Sequence, residues 1–460
     1  MRLAAAGTLG LRSAWAAVRG DQLARNSGLL MATTISNSAL GYVFWVVAAH
    51  AIVPAELGAA NAAIAAASLA SLVGDVGLRT VMMTELPNAR EARQWSKRVS
   101  AGIVAGVVAS TVCGVACAAL VALSPALRRF LSGGWLIVIV VISVTGMLFG
   151  LLDGIATAER RTEQLLNRNL LNAAVKVAVL GISLWAFHLA GRSVLVATAV
   201  SYAATVAFGI LVQLRRSQPG WRFTLDGSQA MIRGVRRNMF THHVLNLGGE
   251  LPMYVLPLEV VARLSPRQNA YSSLTWMVGG VFFMISAAVS TALFVQGRWE
   301  PEEVRRSTRR AGRLIASLLA PIALFLVVFG HLVLGFFGRT YAVHGYVLLM
   351  WLLASAVPDA ITNVKVGQLR ARGRLKAGAN LQVGMGLGAI VLVWFFLPWV
   401  GINALGIAWL SVQSLGACWC LIDDHRTGSR GSHRLNGNTS GVLPSLRERG
   451  IGVGAGAGSN

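Results

Sequence analysis

Charge is scarce in this chain. Only 13% of its 460 residues are Asp, Glu, Lys or Arg, against about a quarter in soluble domains. Acidic residues are scarcer still, 18 against 41 Lys and Arg, which leaves a formal net charge of +23. That is too little polar surface to cover a soluble core of this size. Cysteine is nearly absent too. Cys113 and Cys117 lie in one apolar run, Cys418 and Cys420 in another, without His neighbours at metal-ligand spacing, so they read as small apolar packers. There is no phosphate-cradling Gly-rich loop ending in Lys and no Ser nucleophile elbow. ATP hydrolysis and Ser-nucleophile catalysis are therefore not expected, and the sequence points to no enzyme, no cofactor and no metal.

What the chain has in abundance is apolar sequence: 55% of residues, with a mean hydropathy of +0.61. It falls into twelve long runs: 28–50, 59–78, 99–123, 135–152, 170–190, 193–214, 239–262, 270–297, 314–337, 341–364, 378–397 and 402–422. About 20 apolar residues of helix cross a bilayer, and most of these runs are apolar all round, unlike helices with one wet face. The predicted fold is therefore an all-α integral membrane protein with twelve transmembrane helices.

The basic residues orient it. Of the 41 Lys and Arg, 34 fall in the gaps after even-numbered runs and in the two tails, and 6 in the other gaps. Basic loops stay on the cytoplasmic side, so both termini are predicted to be cytoplasmic. The alternation also leaves Lys176 as the sole basic residue assigned to the interior of a run. The net charge is spread over loops that face anionic lipid, which favours membrane lipid over nucleic acid as its counterpart. Arg305, Arg306, Arg309, Arg310 and Arg313 recur at helical spacing, which predicts an interfacial helix leading into the ninth run.

Residues 1–24 read as a cytoplasmic or interfacial segment, because Arg12 and Arg19 interrupt what would be a signal-peptide core. Residues 25–214 form a first six-helix lobe, 215–238 a basic cytoplasmic linker and 239–422 a second six-helix lobe. Residues 423–460, rich in Gly, Ser, Asn and Arg, read as a disordered cytoplasmic tail. A constant offset of 212 aligns Arg25-Asn26 with Arg237-Asn238, Tyr42-Val43 with Tyr254-Val255, and Pro54 with Pro266. Six spans per half make the two bundles parallel copies, and such repeats bind substrate between their halves near the midplane.

Polar residues inside the hydrocarbon mark the candidate site, since a charge at a helix centre costs about 2.5–3.5 kcal/mol on insertion scales. Glu250 falls at the middle of the seventh run, with His243 and Asn246 on the same helical face. Pro252 and Pro257 follow it, freeing backbone carbonyls that need protein or water partners. The equivalent first run carries Asn37 and Ser38, and Ser38 is the offset partner of Glu250. Arg25 and Lys176 are the basic candidates, Lys176 either snorkelling to the interface or lining the cavity. Glu259 stands four residues before Arg263 and is expected to pair with it, while Asp75 and Asp359 are expected near helix ends that reach water.

The stretch RNSGLLMATTISNSALGYVFWVVAAHAIVPAELGAANAA, followed by SLASLVGDVGLRTVMMTELPNAR, resembles the openings of bacterial polysaccharide and O-antigen flippases of the multidrug/oligosaccharidyl-lipid/polysaccharide exporter superfamily. The resemblance rests on Arg25-Asn26, the Gly41-Tyr42 region, the turn from Pro54 to Gly58, and Gly77-Leu78 leading to Leu86-Pro87. It implies two six-helix bundles in a bacterial plasma membrane, alternating access, a lipid-linked saccharide as cargo, a coupling ion (proton or sodium) and a protein that works as a monomer. It also implies basic cavity residues for a diphosphate, which are few among the candidates. An ion-coupled multidrug exporter of the same superfamily and a non-transporting scaffold are the alternative readings. The turn GDVGLRTVMM lacks the spacing of the major-facilitator signature. The gap 124–134 is shorter than the large outer loop of a polymerase. The topology is checked by fusing alkaline phosphatase within 215–238 and within 263–269: the first fusion is expected to be inactive and the second active.

Overall fold

The computed structural model describes residues 39–89, 91–224, 228–294 and 301–436. All regular structure among them is helical. The helices are α1 (Ala39–Ala51), α2 (Pro54–Gly74), α3 (Leu78–Glu85), α4 (Ala92–Val121), α5 (Pro125–Phe130), α6 (Ile137–Ala158), α7 (Thr162–Trp185), α8 (Arg192–Phe208), α9 (Leu214–Ser217), α10 (Ser228–Arg263), α11 (Pro266–Phe294), α12 (Pro301–Gly335), α13 (Arg339–Ala371), α14 (Leu375–Val400) and α15 (Asn403–Asn436). Ten of the described helices are long and apolar enough to span a bilayer, so this is a multi-pass membrane protein. They coincide with ten of the twelve predicted runs. The first run reaches back into residues outside the described ones, which leaves α1 short. The seventh lies in α10, a continuous helix of 36 residues diluted by His, Glu, Asn and Arg.

The helices up to residue 217 pack chiefly on one another, as do those from 228 onward, and the two groups meet through α2, α10 and α11. Composition explains why α2 can stand between them. Its buried face is mostly alanine, from Ala59 and Ala60 to Ala67 and Ala70, so neighbouring backbones come close, as membrane helices with small residues do. Cys117 on α4 and Ser143 on α6 donate to the carbonyls of Ala66 and Ala67, at 3.2 and 3.0 Å. On its other side, Gly58 lies against the first turn of α11, where a Cβ would collide with the Pro266 carbonyl.

Hydrogen bonds and ring contacts join the groups at the end of the molecule that carries the α1–α2 and α10–α11 turns, while α10 also touches α3 and α4. Asn269 donates to the Gly58 carbonyl at 2.8 Å and Ser273 to Asn61 at 2.8 Å. Tyr42 donates to the Val333 carbonyl at 3.2 Å, and its ring meets Phe337 edge-on at 4.9 Å. This end is closed.

Several sequence expectations change here. Lys176 is not the sole basic residue within the apolar helices. Arg168 on α7 is 1% exposed and Lys365 on α13 is 2% exposed. Each falls just beyond the predicted edge of its run, because the helix continues through it. Lys365 pairs with Asp423 on α15 at 2.7 Å, and α15 runs on to Asn436, so the stretch after Asp423 expected to be disordered begins as helix. Residues 437–460 and 1–24 lie outside the described residues. As expected for the arginines from Arg305 to Arg313, the helix that carries them runs on into the ninth span: α12 is continuous from Pro301. In the 215–238 linker, the backbone of Arg222 and Thr224 donates to Ser96 and Ser100 on α4, at 3.3 and 3.1 Å, which ties it to the first group.

Arg168 shows how a deep charge is accommodated. It pairs with Asp153 on α6 and donates to Gln213 at 2.7 Å, while Gln213 donates to the Gln164 carbonyl at 2.9 Å. Gln213 ends a π-helical turn, Gly209–Gln213, the kind of local rewinding that re-aims a side chain. Removing one partner of such a pair strands the other charge. Arg168→Leu is therefore expected to destabilise the protein by about 3 kcal/mol, and adding Asp153→Leu to restore part of the loss, both read from unfolding in detergent.

Candidate functional site

Away from the closed end, the two groups of helices enclose polar space. A cavity of about 190 Å³ is lined by Ser68, Ser71 and Asp75 from α2 and its end, by Arg79 from α3, by Gly150 and Asp153 from α6, by Tyr202 from α8, and by His243, Glu250 and Tyr254 from α10. A second, of about 270 Å³, lies within the C-terminal group, lined by Gly249 and Glu250 from α10, Phe283 from α11, Asp359, Asn363 and Arg370 from α13, Gln382 from α14, and Trp409 and Gln413 from α15. Glu250 borders both. A third, of about 410 Å³, is mostly apolar, with Trp45, Pro252, Met253, Pro257, Trp276 and Met284 among its walls.

The local sequence explains how these walls form. Asp75 ends α2, and its carboxylate accepts the Arg79 backbone N–H at 3.3 Å, so the reversal into α3 is held by its own cap. The turn passes through Val76 and Gly77, both at positive φ. It swings the Arg79 side chain back against Gly150 and Gly154, where any Cβ on α6 would meet it. On α10, Pro252 removes the donor that the Gly248 carbonyl would have taken. Gly386 on α14 fits against that carbonyl, leaving no room for a Cβ, and α10 continues as helix through both prolines.

Asp359 is 3% exposed, not at a wetted helix end. It accepts from Ser286 at 2.6 Å, Asn363 at 2.8 Å and Gln413 at 3.1 Å, and Gln413 in turn accepts from Thr362 at 2.7 Å. This network crosses α11, α13 and α15 and fixes the amides on the wall. Among the described residues, no three His, Cys, Asp or Glu side chains converge as metal ligands would.

Of the residues singled out from sequence, His243 and Glu250 line one cavity together. The Asn246 side chain lies outside the described residues, as do Arg25, Asn37 and Ser38. Lys176 stands with its ammonium 4.8 Å from the centre of the Phe44 ring and is not among the wall residues of these cavities. Arg263 does not pair with Glu259; its guanidinium lies 4.6 Å from the Trp394 ring centre, and a Glu259 carboxylate oxygen is buried without a partner. Sequence reasoning missed Arg79, Asp153, Asp359 and Arg370 as wall residues. Arg79 and Asp153 each follow directly on an apolar run and Asp359 and Arg370 lie within a few residues of the end of another, where a charge reads equally well as a loop residue.

Arg79 stands near Asp75, Asp153 and Glu250 on the shared cavity wall. A guanidinium presents a planar fork of donors suited to phosphate, so this wall combines an anion-binding group with an acid facing both cavities. Water must reach such groups, and it does so in membrane proteins through cavities.

The comparisons with known proteins agree with this geometry. Residues 23–245 match the family model of polysaccharide biosynthesis proteins. No curated protein matches the chain. Among solved structures, the lipid II flippase MurJ in an inward closed conformation is similar with a TM-score of 0.68 at 14% identity, over 86% of this chain and 87% of that one. A multidrug resistance MATE family transporter of the MOP superfamily, in an inward-facing conformation, is similar with a TM-score of 0.65 at 13% identity, over 86% and 94%. The eukaryotic MATE transporter AtDTX14 gives 0.62 at 16% identity, over 87% and 96%. At such identities the likeness concerns the fold. In a cysteine-free background, a water-soluble maleimide is expected to label Ser71→Cys in the cavity and to leave Val194→Cys, in the packed core, unlabelled. Residues 23–245 thus match the model of the polysaccharide biosynthesis proteins, and over most of its length the chain has a fold like that of the MurJ and MATE transporters.

Proposed function

We propose that this protein translocates a polyprenyl-diphosphate-linked saccharide across a bacterial plasma membrane by alternating access. The observation that carries the reading is the polar space between the two helix groups, walled by Arg79 and Glu250 and closed at one end by the α2–α11 contact. The family model that residues 23–245 match is that of polysaccharide biosynthesis proteins, and MurJ, whose fold resembles that of the chain, is a lipid II flippase. In this reading the chain has twelve spans and cytoplasmic termini, with lobes 25–214 and 239–422, the linker 215–238, and the end segments 1–24 and 423–460. The closed end then faces outward, so the cavity serves the cytoplasmic side. Arg79 receives the diphosphate, the saccharide enters between the lobes and the polyprenyl tail stays in lipid.

Glu250 couples the cycle. It borders both cavities, so binding a proton or sodium there changes the charge that each lobe meets. A bound ion shifts the balance between two states only by its different affinity for them. The protein acts as a monomer and makes or breaks no covalent bond in its cargo.

The 410 Å³ apolar cavity beside Glu250, together with the MATE fold, supports a second reading as an ion-coupled multidrug exporter. The two separate cleanly. Depleting the protein is expected to make a lipid-linked sugar accumulate on the cytoplasmic leaflet; an unchanged lipid pool with altered drug tolerance would favour the exporter. Glu250→Gln, at normal expression, is expected to slow translocation by about tenfold or more, read by complementation of the depleted strain, and full complementation would sink the coupling role.

A further inference from the structure

The wall of the second cavity has a property that ion coupling does not use. Trp409 on α15 packs edge-on to Trp276 at 5.3 Å and against Phe283 at 5.5 Å, so its ring is held in one orientation. Its indole Nε1 is buried without a hydrogen-bond partner. Gln382 on α14 lines the same cavity, and its Oε1 is likewise buried and unpartnered. A buried polar group without a partner costs free energy, so natural proteins rarely keep one unless something else satisfies it. Here one is a donor and the other an acceptor, on neighbouring helices whose residues Trp409 and Gln382 both line one cavity. Arg370 adds a cation to that wall, and the Asp359 network holds Asn363 and Gln413 beside them.

We propose that this wall of the C-terminal group is a saccharide subsite: a pyranose ring stacks on Trp409 and Phe283 while its hydroxyls accept from the Trp409 indole N–H and Arg370 and donate to Gln382. The assignment rests on the flippase reading above and names the part of the cargo that each wall takes. A sugar hydroxyl both donates and accepts, so adjacent hydroxyls satisfy the two orphans at once. An aliphatic chain would leave both unpaired. An inorganic anion would suit Arg370 but not the Gln382 oxygen. Asp359, already accepting three hydrogen bonds, orients the wall and leaves the ligand to its neighbours. An aromatic ring presents a flat apolar face and, in Trp, a polar edge, which matches a pyranose with its apolar C–H face and equatorial hydroxyls.

The test uses the full-length protein in lipid nanodiscs and two kinds of probe. One is farnesyl diphosphate; the other is the same lipid carrying a single N-acetylglucosamine, glucose, galactose or mannose. At least one glycosylated probe is expected to bind about tenfold more tightly than farnesyl diphosphate itself. In Trp409→Leu that ratio is expected to fall to about one, and in Gln382→Leu to fall several-fold. Farnesyl diphosphate binding reports whether each variant is folded, and Gln382→Leu leaves the aromatic cluster intact should Trp409→Leu fail that check. Equal binding of glycosylated and plain probes by the wild-type protein overturns the subsite and leaves the flippase reading standing. Undiminished preference in Gln382→Leu also overturns the subsite. Binding of neither probe overturns both.

Discussion

The structure depends on how closely α2 approaches its neighbours. A helix that touches α4, α6, α10 and α11 has no face left for large side chains, and its alanine row supplies none. In lipid there is little hydrophobic gain from bringing helices together, so association rests on close van der Waals contact and on backbone carbonyls reached by short donors. The thiol of Cys117, the hydroxyl of Ser143 and the amide of Asn269 each reach such a carbonyl on α2. Gly58 completes the seam at the closed end. Any side chain there would push α11 away and open the end that the cavity needs shut.

Because that seam consumes the closed end, the polar groups collect toward the other. They are treated in two ways. Arg168 and Asp359 are buried and held by partners within their own helix group: Asp153 and Gln213 for the first, Ser286, Asn363 and Gln413 for the second. Arg79 and Glu250 instead line the space between the groups, and Arg370 lines the cavity within the C-terminal group. The partnered sets fix the walls, and the lining sets remain for a ligand. A transporter needs both, since a wall that moves as a unit can carry its site with it, whereas a loose wall would absorb the ligand's binding energy in its own ordering.

Much of the fold was legible in the amino-acid sequence. Ten apolar runs coincide with the membrane-capable helices of the structure, because spanning a bilayer requires length and apolarity, both local properties. Glu250 was legible because a charge at the middle of an apolar run stands out, and His243 shares its helical face. Asp153, Arg168, Asp359 and Lys365 were not. Each sits at or near the end of an apolar run, and hydropathy cannot tell a helix that ends there from one that carries its charge inward to a partner. Arg79 was hidden for another reason: it follows a break in the helix, and only the fold-back through Val76 and Gly77 aims it at α6.

The sequence by itself determined that the chain lives in a membrane, where its helices run and which charges are out of place, since these follow from the free energy of moving each segment into hydrocarbon. Which of those charges are neutralised and which line a cavity depends instead on how the helices pack. The tertiary structure decided that Glu250 borders both helix groups, and that the indole of Trp409 and the amide of Gln382 stand unpaired on residues lining one cavity. Partnership is a property of helices far apart in the chain, set by where small residues let their backbones meet, and no local pattern records it.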